Sequence, residues 1–281
     1  MISCKNVSIV LISHKSRTKI LNFLKNISEN YKIIIIENSD DIILKKEIEK
    51  KYENVEIYLK ENSGYGSSVN YARSKIKTKY FFLLNPDICG VNDHTIDLFY
   101  HKAHELNDNF SCLGPRYNEL KNIKQSDKNK EINKFSISGS AMFFCIKTFD
   151  LLNGFDENFF LYFEENDYCK RGAKIKIYSY QINSILLKHD IGTSVEYRDK
   201  NEKENYMKLY NWHFMWSKGY YIKKHYGIIL AIIYFLPLIL KYNLYLILYK
   251  IINDKKKFQK FKDRICALLL ALSGMKANKR I

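Results

Sequence analysis

The 281-residue sequence lacks several short patterns that would identify a class of protein at once. Its six cysteines form no CxxC pair, and no spacing of histidine and cysteine suits a zinc ion. They lie mainly in apolar segments, which favours reduced thiols in a cytosolic compartment over a disulfide framework. The chain opens on a short polar stretch followed by VSIVLI, so we expect no secretory signal peptide. There is also no internal repeat and no GxGxxG dinucleotide motif.

The charge of the chain is unevenly distributed, although its formal net charge is +16. Residues 195–281 hold 18 lysines and arginines against 6 acidic residues, a net of +12, whereas the first 194 residues hold 28 against 24, a net of +4. The basic residues of the C-terminal third border aliphatic runs and do not alternate with exposed aromatic residues. This pattern disfavours nucleic acid as a partner.

No apolar run reaches the ~20 residues that a membrane-spanning helix needs. The longest run, IILAIIYFLPLIL, covers 13 residues (228–240), and Lys241 and Asn243 interrupt its continuation. Lysines precede and follow it. Two interpretations stay open: a helical subdomain that packs on the core, or an interfacial hairpin on an anionic membrane leaflet. We favour the hairpin because apolar density and positive charge coincide here.

Apolar runs alternate with helical spacing over the first 90 residues of the chain. The runs VSIVLIS, KIIIIEN, VEIYLKEN and KYFFLLNPD each end in polar residues, and helical patterns cover 17–27 and 67–78. This alternation predicts a doubly wound, mostly parallel sheet flanked by helices, with ligands at the carboxyl ends of the strands. SISGSAMFF and SILLKHDIGTS indicate further strands, and the polar stretch 117–134 indicates a mobile loop.

Residues with chemical potential lie at these predicted strand ends. Asp87, in NPD, could hold a hard divalent cation together with a diphosphate, although a strand-ending turn gives the same pattern. ENSGYGSSVNYA places two glycines at a strand-to-helix junction, where a phosphate could approach the backbone. An ordinary turn would also explain those glycines. His189 ends an apolar strand, and a lone histidine is more often structural than a ligand.

Three acidic residues, Glu164, Glu165 and Asp167, follow an aromatic run in FFLYFEENDYCKR. In the first turn of a helix they would be favoured by the helix dipole alone. Alternatively, neighbouring carboxylates against an aromatic wall raise one another's pKa, as a general base requires. Without further information the first interpretation is the stronger one.

Taken in order, the motifs resemble those of inverting family-two glycosyltransferases of the GT-A fold. They are VSIVLISHKS, IIIIENSDD, ENSGYGSSVNYA, FFLLNPDI, SGSAMFF, GFDENFFLYFEENDYCKR and LLKHDIGTS. Within that family the sequence is most similar to bacterial rhamnosyltransferases that build O-antigen and related surface polysaccharides. The resemblance covers residues 7–225 and implies a catalytic domain over residues 1–225. The composition of the remaining residues, 226–281, predicts a basic, apolar, membrane-associating region of amphipathic helices.

The resemblance also implies where the donor and a metal ion bind. Asp87 matches the metal-binding aspartate, in a version of the DxD motif that has Asn85 in place of the first acid. His189 matches a histidine that reaches the metal and the diphosphate. The further residues expected at the donor are Ser13, Glu37, Asn38, Asn62, Gly64, Tyr65, Gly66 and Asn70.

The acidic motif acquires a catalytic meaning from the same resemblance. Glu164 and Glu165 match a pair whose second member is the general base. Asp167 matches the next acid, which would orient the site or pair with Arg171. The segment 138–142 would line the acceptor or sugar side of the pocket.

The implied function is metal-dependent transfer of a hexose-type sugar with inversion, with Mg²⁺ or Mn²⁺ as cofactor. The donor expected is dTDP-L-rhamnose, and the acceptor a lipid-linked glycan. The enzyme would lie in the cytoplasm, peripheral on the inner face of the plasma membrane. UDP-glucose, UDP-galactose, UDP-galactofuranose and UDP-N-acetylhexosamine stay open as donors, as does a non-catalytic sugar-nucleotide-binding scaffold. The oligomeric state also stays open.

Overall fold

A computed structural model describes residues 3–117, 131–134 and 136–280 of the chain. Its strands are β1 Val7–Ser13, β2 Lys32–Glu37, β3 Val55–Leu59, β4 Tyr80–Leu84, β5 Ile88–Cys89, β6 Leu113–Tyr117, β7 Glu131–Lys134, β8 Ala141–Cys145 and β9 Ser179–His189. Its helices are α1 Ser3–Asn6, α2 Arg17–Lys25, α3 Ile42–Lys51, α4 Tyr65–Arg73, α5 Asp93–Glu105, α6 Ile146–Leu151, α7 Glu164–Lys174, α8 Lys200–Tyr226, α9 Ile228–Ile251 and α10 Lys255–Ser273.

The described strands form one mixed sheet in the order β3-β2-β1-β4-β8-β6-β9-β5, and β7 pairs with β9. The first four strands in this order are parallel, as predicted. β8 runs antiparallel to both of its neighbours, β4 and β6. The runs that form β1, β2 and β4 are continuously apolar because helices cover both faces of this part of the sheet.

Two hydrophobic clusters lie on the two faces of the sheet. Alternate residues of β1 enter different clusters: Val7, Ile9 and Leu11 join one, and Val10 and Ile12 join the other. This division follows from the two-residue repeat of a strand, whose successive side chains point to opposite faces. The sheet is therefore rigidly held on both sides, and its strand ends are fixed positions for polar side chains.

The prediction of a loop over residues 117–134 is wrong at both ends of this range, where the structure has strands. Tyr117 is the last residue of β6, and 131–134 form β7, which pairs antiparallel with β9. The polar sequence of β7 has no alternating apolar pattern, and its pairing depends on a strand about 50 residues further along the chain. Residues 118–130, the middle of the predicted loop, lie outside the described residues.

The chain divides into two compact units. The first unit holds Met1–Asp156 and Glu164–Glu196, and the second holds Glu157–Phe163 and Tyr197–Ile281. The domain boundary predicted from the sequence, after residue 225, lies at the end of α8 and not at the start of the second unit. The second unit begins earlier because α8 packs with α9 and α10 in one hydrophobic cluster, to which Trp212, Trp216 and Phe235 belong.

Helix α9 is continuous through the residues that interrupt its apolar sequence, including Pro237 and Lys241. Of the described helices, only α9 is long and apolar enough to cross a membrane by length and composition, with a mean hydropathy of 1.8. Only 17% of its most apolar window is buried. Most of this helix therefore presents apolar side chains outside the hydrophobic core.

Candidate active site

The polar ends of β1 and β2 lie side by side in the first unit, since Ser13 is paired with Glu37 in the parallel register. Both side chains are fully buried. The Ser13 hydroxyl donates to Glu37 Oε2, and the backbone amide and hydroxyl of Ser39 donate to Oε1. The predicted donor contacts Ser13 and Glu37 thus bind each other, and they fix the edge of the sheet from which the next residue projects.

Asn38 connects the end of β2 to the start of α4. Its amide nitrogen donates to the Ser68 hydroxyl at 2.9 Å, and that hydroxyl also donates to the Gly64 carbonyl at 3.0 Å. The Asn38 carbonyl accepts from His14 Nδ1 at 3.1 Å. His14 lies in the motif VSIVLISHKS, but no role at the donor was predicted for it.

Glycine is favoured at positions 64 and 66, at the start of α4, for two different structural reasons. Gly64, whose amide donates to Asn62 Oδ1 at 3.3 Å, has φ +113°, a value that favours glycine. At Gly66 a Cβ atom would lie 3.1 Å from the Cβ of Phe155 and 3.7 Å from that of Glu164. The first turn of α4 therefore packs closely against the acidic segment, and α4 begins there with backbone amides of the kind that can bind an anion.

Tyr65 is the residue that joins the two sides of the site. Its hydroxyl lies 2.8 Å from the Gly139 carbonyl and 3.1 Å from Asn85 Oδ1. Burial raises the pKa of Tyr65 well above its usual value, and the negative charges of Glu164 and Glu165 add to this effect. The predicted donor-loop tyrosine thus lies in the electrostatic field of both acids.

Asn70 has a structural role in this fold. Its amide nitrogen donates to the Phe155 carbonyl at 2.9 Å, and its Oδ1 accepts from the Phe155 amide at 2.9 Å. Gly154, with φ +59°, has no room for a Cβ because that atom would lie 2.5 Å from Asn70 Oδ1. Both ends of the amide therefore hold the turn that precedes the acidic helix, and the contact of Asn70 with the donor that the resemblance implies stays a prediction.

The antiparallel pairing of β5 with β9 brings Asp87 to His189. Ile88 is paired with His189, and the Asp190 amide donates to the Asp87 carbonyl at 3.0 Å. His189 Nε2 lies 3.4 Å from Asp87 Oδ1. Two candidate ligands that are about 100 residues apart in the sequence are thus adjacent.

The environment of Asp87 suits a bound cation. The side chain is 1% exposed, and its Oδ1 has no hydrogen-bond partner. Burial would raise the pKa of Asp87, but the nearby side chains of His189 and Ser194 outweigh burial and hold this pKa below its usual value. A buried, ionised carboxylate with an unsatisfied oxygen is costly unless a positive partner is present.

The residues present fit a metal ion whose ligands are shared with a substrate. Within residues 3–117, 131–134 and 136–280 no group of three or more His, Cys, Asp or Glu side chains is placed to hold a metal ion. Magnesium-type sites in proteins commonly use one or two carboxylates together with substrate phosphates and water. Asp87 and His189 would supply the protein side of such a site, while Asn85 Oδ1 is already engaged by Tyr65.

The two glutamates at the start of α7 have different environments. Glu164 is 4% exposed, and its Oε2 has no hydrogen-bond partner. Glu165 is half-buried, accepts from the Asn166 amide group at 2.7 Å, and lies against Gly139, whose added Cβ would be 3.7 Å from Glu165 Cγ. Glu164 faces α4, whereas Glu165 faces the turn that the sequence analysis placed on the acceptor side.

Asp167, which the sequence grouped with the catalytic acids, is a structural residue. Its side chain is fully buried and accepts from Arg171 Nε at 2.8 Å, one turn further along α7. The same guanidinium donates to the carbonyls of Leu152 and Gly154. The pairing with Arg171, one of the two roles expected of Asp167, is therefore confirmed. The ion pair fixes α7 to the preceding turn, and a carboxylate held in this way is not free to act as a catalytic acid or base.

A chain of hydroxyl groups borders the candidate metal site. The Tyr117 hydroxyl lies 2.7 Å from Ser140 Oγ, and Ser140 Oγ lies 2.8 Å from Ser138 Oγ. The Tyr117 ring is 5.8 Å from the His189 ring. Burial raises the pKa of Tyr117 to about 12, so its hydroxyl stays protonated. The sequence analysis predicted the serine segment but missed Tyr117, because it treated this residue as the start of a loop.

Glu164 should make the stability of the protein depend on pH. Burial, followed by the charge of Glu165, raises the pKa of Glu164 well above its usual value. The stability that the protonated side chain contributes is complete below pH ~4.3, the unfolded pKa, and is lost as pH rises through the raised pKa of the folded state. Glu164→Gln, which stays neutral, is therefore expected to gain stability relative to the parent protein between pH 5 and pH 8, by about 1.4 kcal/mol per unit of pKa elevation.

Urea unfolding at the two pH values measures this difference. Glu61→Gln is the matched control, because the Glu61 side chain is exposed. Parallel pH dependences for Glu164→Gln and the parent protein would show that Glu164 is ionised in the folded state.

The known proteins that this chain resembles in sequence include two sugar transferases. No family model matches the chain. The rhamnosyltransferase WbbL of Escherichia coli (strain K12) is 25% identical, over 78% of this chain and 93% of WbbL. The low-salt glycan biosynthesis hexosyltransferase Agl10 of Haloferax volcanii is 22% identical over 61% of this chain, and the match spans 63% of Agl10.

Solved structures share the fold at low sequence identity. The mannosyltransferase PcManGT from Pyrobaculum calidifontis, solved with GDP-Man and Mn²⁺, has a TM-score of 0.59 and 10% identity over 95% of this chain and 87% of its own. GalNAc-T7, solved with UDP, GalNAc and Mn²⁺, has a TM-score of 0.54 and 11% identity over 78% of this chain, and the match spans 51% of GalNAc-T7. These likenesses confirm the predicted GT-A architecture.

Proposed function

We propose that this chain is a family-two glycosyltransferase of the GT-A fold that transfers L-rhamnose from dTDP-rhamnose to a lipid-linked acceptor glycan, with inversion at the anomeric carbon. Its similarity to the rhamnosyltransferase WbbL and to the hexosyltransferase Agl10 supports this proposal. The acceptor would belong to surface-polysaccharide biosynthesis of the O-antigen type. The protein would work in the cytoplasm, peripheral on the inner face of the plasma membrane.

One observation carries the catalytic part of this proposal. The half-buried Glu165 and the Asp87–His189 pair belong to the same unit, and Tyr65 lies in the field of both Glu165 and Asp87. An in-line displacement at a sugar carbon requires a base and a leaving-group site that can both reach that carbon. Glu164 and Asp167 are less suited to be the base, since one is deeply buried and the other is held in an ion pair.

The proposed reaction uses the side chains as follows. Glu165 accepts the proton of the acceptor hydroxyl as the hydroxyl oxygen attacks the anomeric carbon. The bond from that carbon to the donor phosphate breaks, and its electron pair leaves with the nucleoside diphosphate. Asp87 and His189 would hold Mg²⁺ or Mn²⁺, which when bound neutralises the charge that develops on the diphosphate. The amides at the N-terminus of α4 would bind further phosphate oxygens.

The donor is identified by a panel of sugar nucleotides supplied with Mn²⁺ or Mg²⁺ and a lipid-diphosphate sugar acceptor. We expect dTDP-rhamnose to be consumed, and dTDP to raise the melting temperature more than UDP does at equal concentration, because a ligand stabilises in proportion to its affinity. If another sugar nucleotide is consumed in its place, that compound is the donor and the proposed transfer reaction still holds. The candidates are UDP-glucose, UDP-galactose, UDP-galactofuranose and UDP-N-acetylhexosamine. Stabilisation by a nucleotide without any turnover would favour the non-catalytic scaffold.

A further inference from the structure

One face of helix α9 carries a continuous stripe of exposed apolar side chains. Its residues are spaced three or four apart, which places them on one side of a helix. Each is between 50% and 76% exposed. We call this stripe the apolar ridge; its members are Ile229, Ile233, Leu236, Leu240, Leu244, Ile247 and Ile251.

The opposite face of α9 packs within the second unit. Ala231, Phe235 and Tyr242 are buried there, and the two aromatic residues belong to a cluster with residues of α8 and α10, among them Trp212 and Leu268. The ridge is thus not part of the core of this unit. The ridge consists of seven neighbouring aliphatic side chains, each at least half exposed. On an ordinary protein surface exposed apolar residues are scattered singly, so we expect an apolar partner to cover this ridge.

Positive charge lies beside the ridge. On α9 itself, Lys241 and Lys250 flank the stripe on its two sides, and the exposed lysines 255–257 follow immediately after the helix. Residues 195–281 together have a net charge of +12. Aliphatic side chains bordered by lysines fit a bilayer with anionic headgroups, in which the chains enter the acyl region and the ammonium groups meet phosphates.

The neighbours of α9 disfavour a membrane-spanning orientation. Arg264 of α10 donates to Asn211 at 2.9 Å and lies against the Tyr242 ring, beside the middle of α9. Asp263, next to Arg264, is paired with Lys279 at 2.9 Å. A spanning α9 would carry these groups and the exposed Lys241 into the hydrocarbon, where ionised side chains are costly.

We propose that the second unit docks on an anionic lipid bilayer with α9 lying in the plane of the membrane and its apolar ridge inserted. Lys241 and Lys250 then reach the headgroups with their aliphatic stems against the acyl boundary. The inference rests on the proposed function only in that a lipid-linked acceptor would be found at such a surface.

Binding of the full chain to vesicles tests the docking surface. We expect sedimentation with phosphatidylcholine vesicles that contain phosphatidylglycerol, and weaker binding to phosphatidylcholine alone. The double variant Ile233→Glu, Leu240→Glu is expected to bind the anionic vesicles at least about tenfold more weakly, since it places two charges in the inserted face. Leu151→Glu is the matched control, because Leu151 is 61% exposed on α6 in the first unit. Equal binding by the double variant and the parent protein would overturn the proposal.

Insertion depth distinguishes an in-plane helix from a spanning one. Tryptophan is placed singly at Ile229, Leu240 and Ile251, and quenching by lipids brominated at different acyl positions is measured after subtraction of the parent protein's signal. An in-plane helix gives the three positions the same shallow depth. Depth that is greatest at position 240 and least at both ends would overturn the in-plane orientation.

Two further measurements separate this proposal from its rivals. Light scattering without vesicles reports whether the ridge pairs two copies of the chain; a dimer that the double variant dissociates, together with no vesicle binding, would overturn the membrane as partner. Donor hydrolysis in solution reports the catalytic function, which requires no bilayer. Vesicle binding without hydrolysis of any donor and without transfer to the lipid-diphosphate sugar acceptor would reject the proposed function and leave the docking surface in place.

Discussion

Replacing Glu165 with glutamine is expected to lower kcat for sugar transfer by about 10³-fold and to change the affinity for the donor little. Glutamine keeps nearly the same shape and can still accept the hydrogen bond that the Asn166 amide makes to Glu165 Oε1 at 2.7 Å. It cannot accept a proton from the acceptor hydroxyl. Because proton removal is needed only as the new bond forms, the loss should appear in kcat and not in donor binding.

Glu164→Gln is the contrasting variant for this experiment. The raised pKa of Glu164, caused by burial and then by the charge of Glu165, keeps this carboxyl protonated over a wider pH range. An amide therefore resembles its resting state, and we expect a loss of no more than about tenfold, far below that expected of a general base. A larger loss in Glu164→Gln than in Glu165→Gln would exchange the roles of the two acids.

Replacing Asp87 with alanine is expected to lower kcat/KM by about 10³-fold. A metal ion contributes several kcal/mol to the stabilisation of charge on a leaving group, and each ~1.4 kcal/mol corresponds to a factor of ten. Asp87 is the buried carboxylate whose Oδ1 has no hydrogen-bond partner, so its removal takes away the ionised ligand of the candidate metal site. Binding of nucleoside diphosphate with Mn²⁺, compared with binding in EDTA, should lose its metal dependence.

Asp190→Asn is the matched control for Asp87→Ala. Asp190 lies next to His189, but its carboxylate is paired with Lys188 at 2.8 Å and is partly exposed. We expect this variant to retain metal-dependent nucleotide binding, and thermal melting confirms that both variants are folded. Metal-dependent binding that survives in Asp87→Ala would locate the ion elsewhere.

Much of the sheet was predictable because its signals are local. The first four strands of the order β3-β2-β1-β4 come from short apolar runs that end in polar residues, and each run can be recognised without knowledge of the others. Because these strands are parallel, the polar residues that end or follow them, such as Glu37 and Asp87, could be placed at the same edge of the sheet. β7 was missed because its four residues, of which only Ile132 is apolar, become a strand only by pairing with β9.

The site was predictable in its residue types and less so in their roles. Motif order indicated Asp87, His189, Glu164 and Glu165, all of which lie in the first unit. It could not indicate that the amide group of Asn70 is used to hold the turn before α7. Side-chain roles of this kind depend on which backbone groups lie opposite, and those come from distant parts of the chain.

The sequence by itself determined the repeating strand–helix pattern, the polar strand ends and the basic, apolar C-terminal third. These features depend on the spacing of residues within a few turns of one helix or within one strand, so the local pattern is sufficient. Only the tertiary structure decided that His189 meets Asp87, that the amide group of Asn70 holds the turn before α7, and that one face of α9 remains exposed. Each of these depends on how separate elements pack, and packing depends on contacts between residues far apart in the chain.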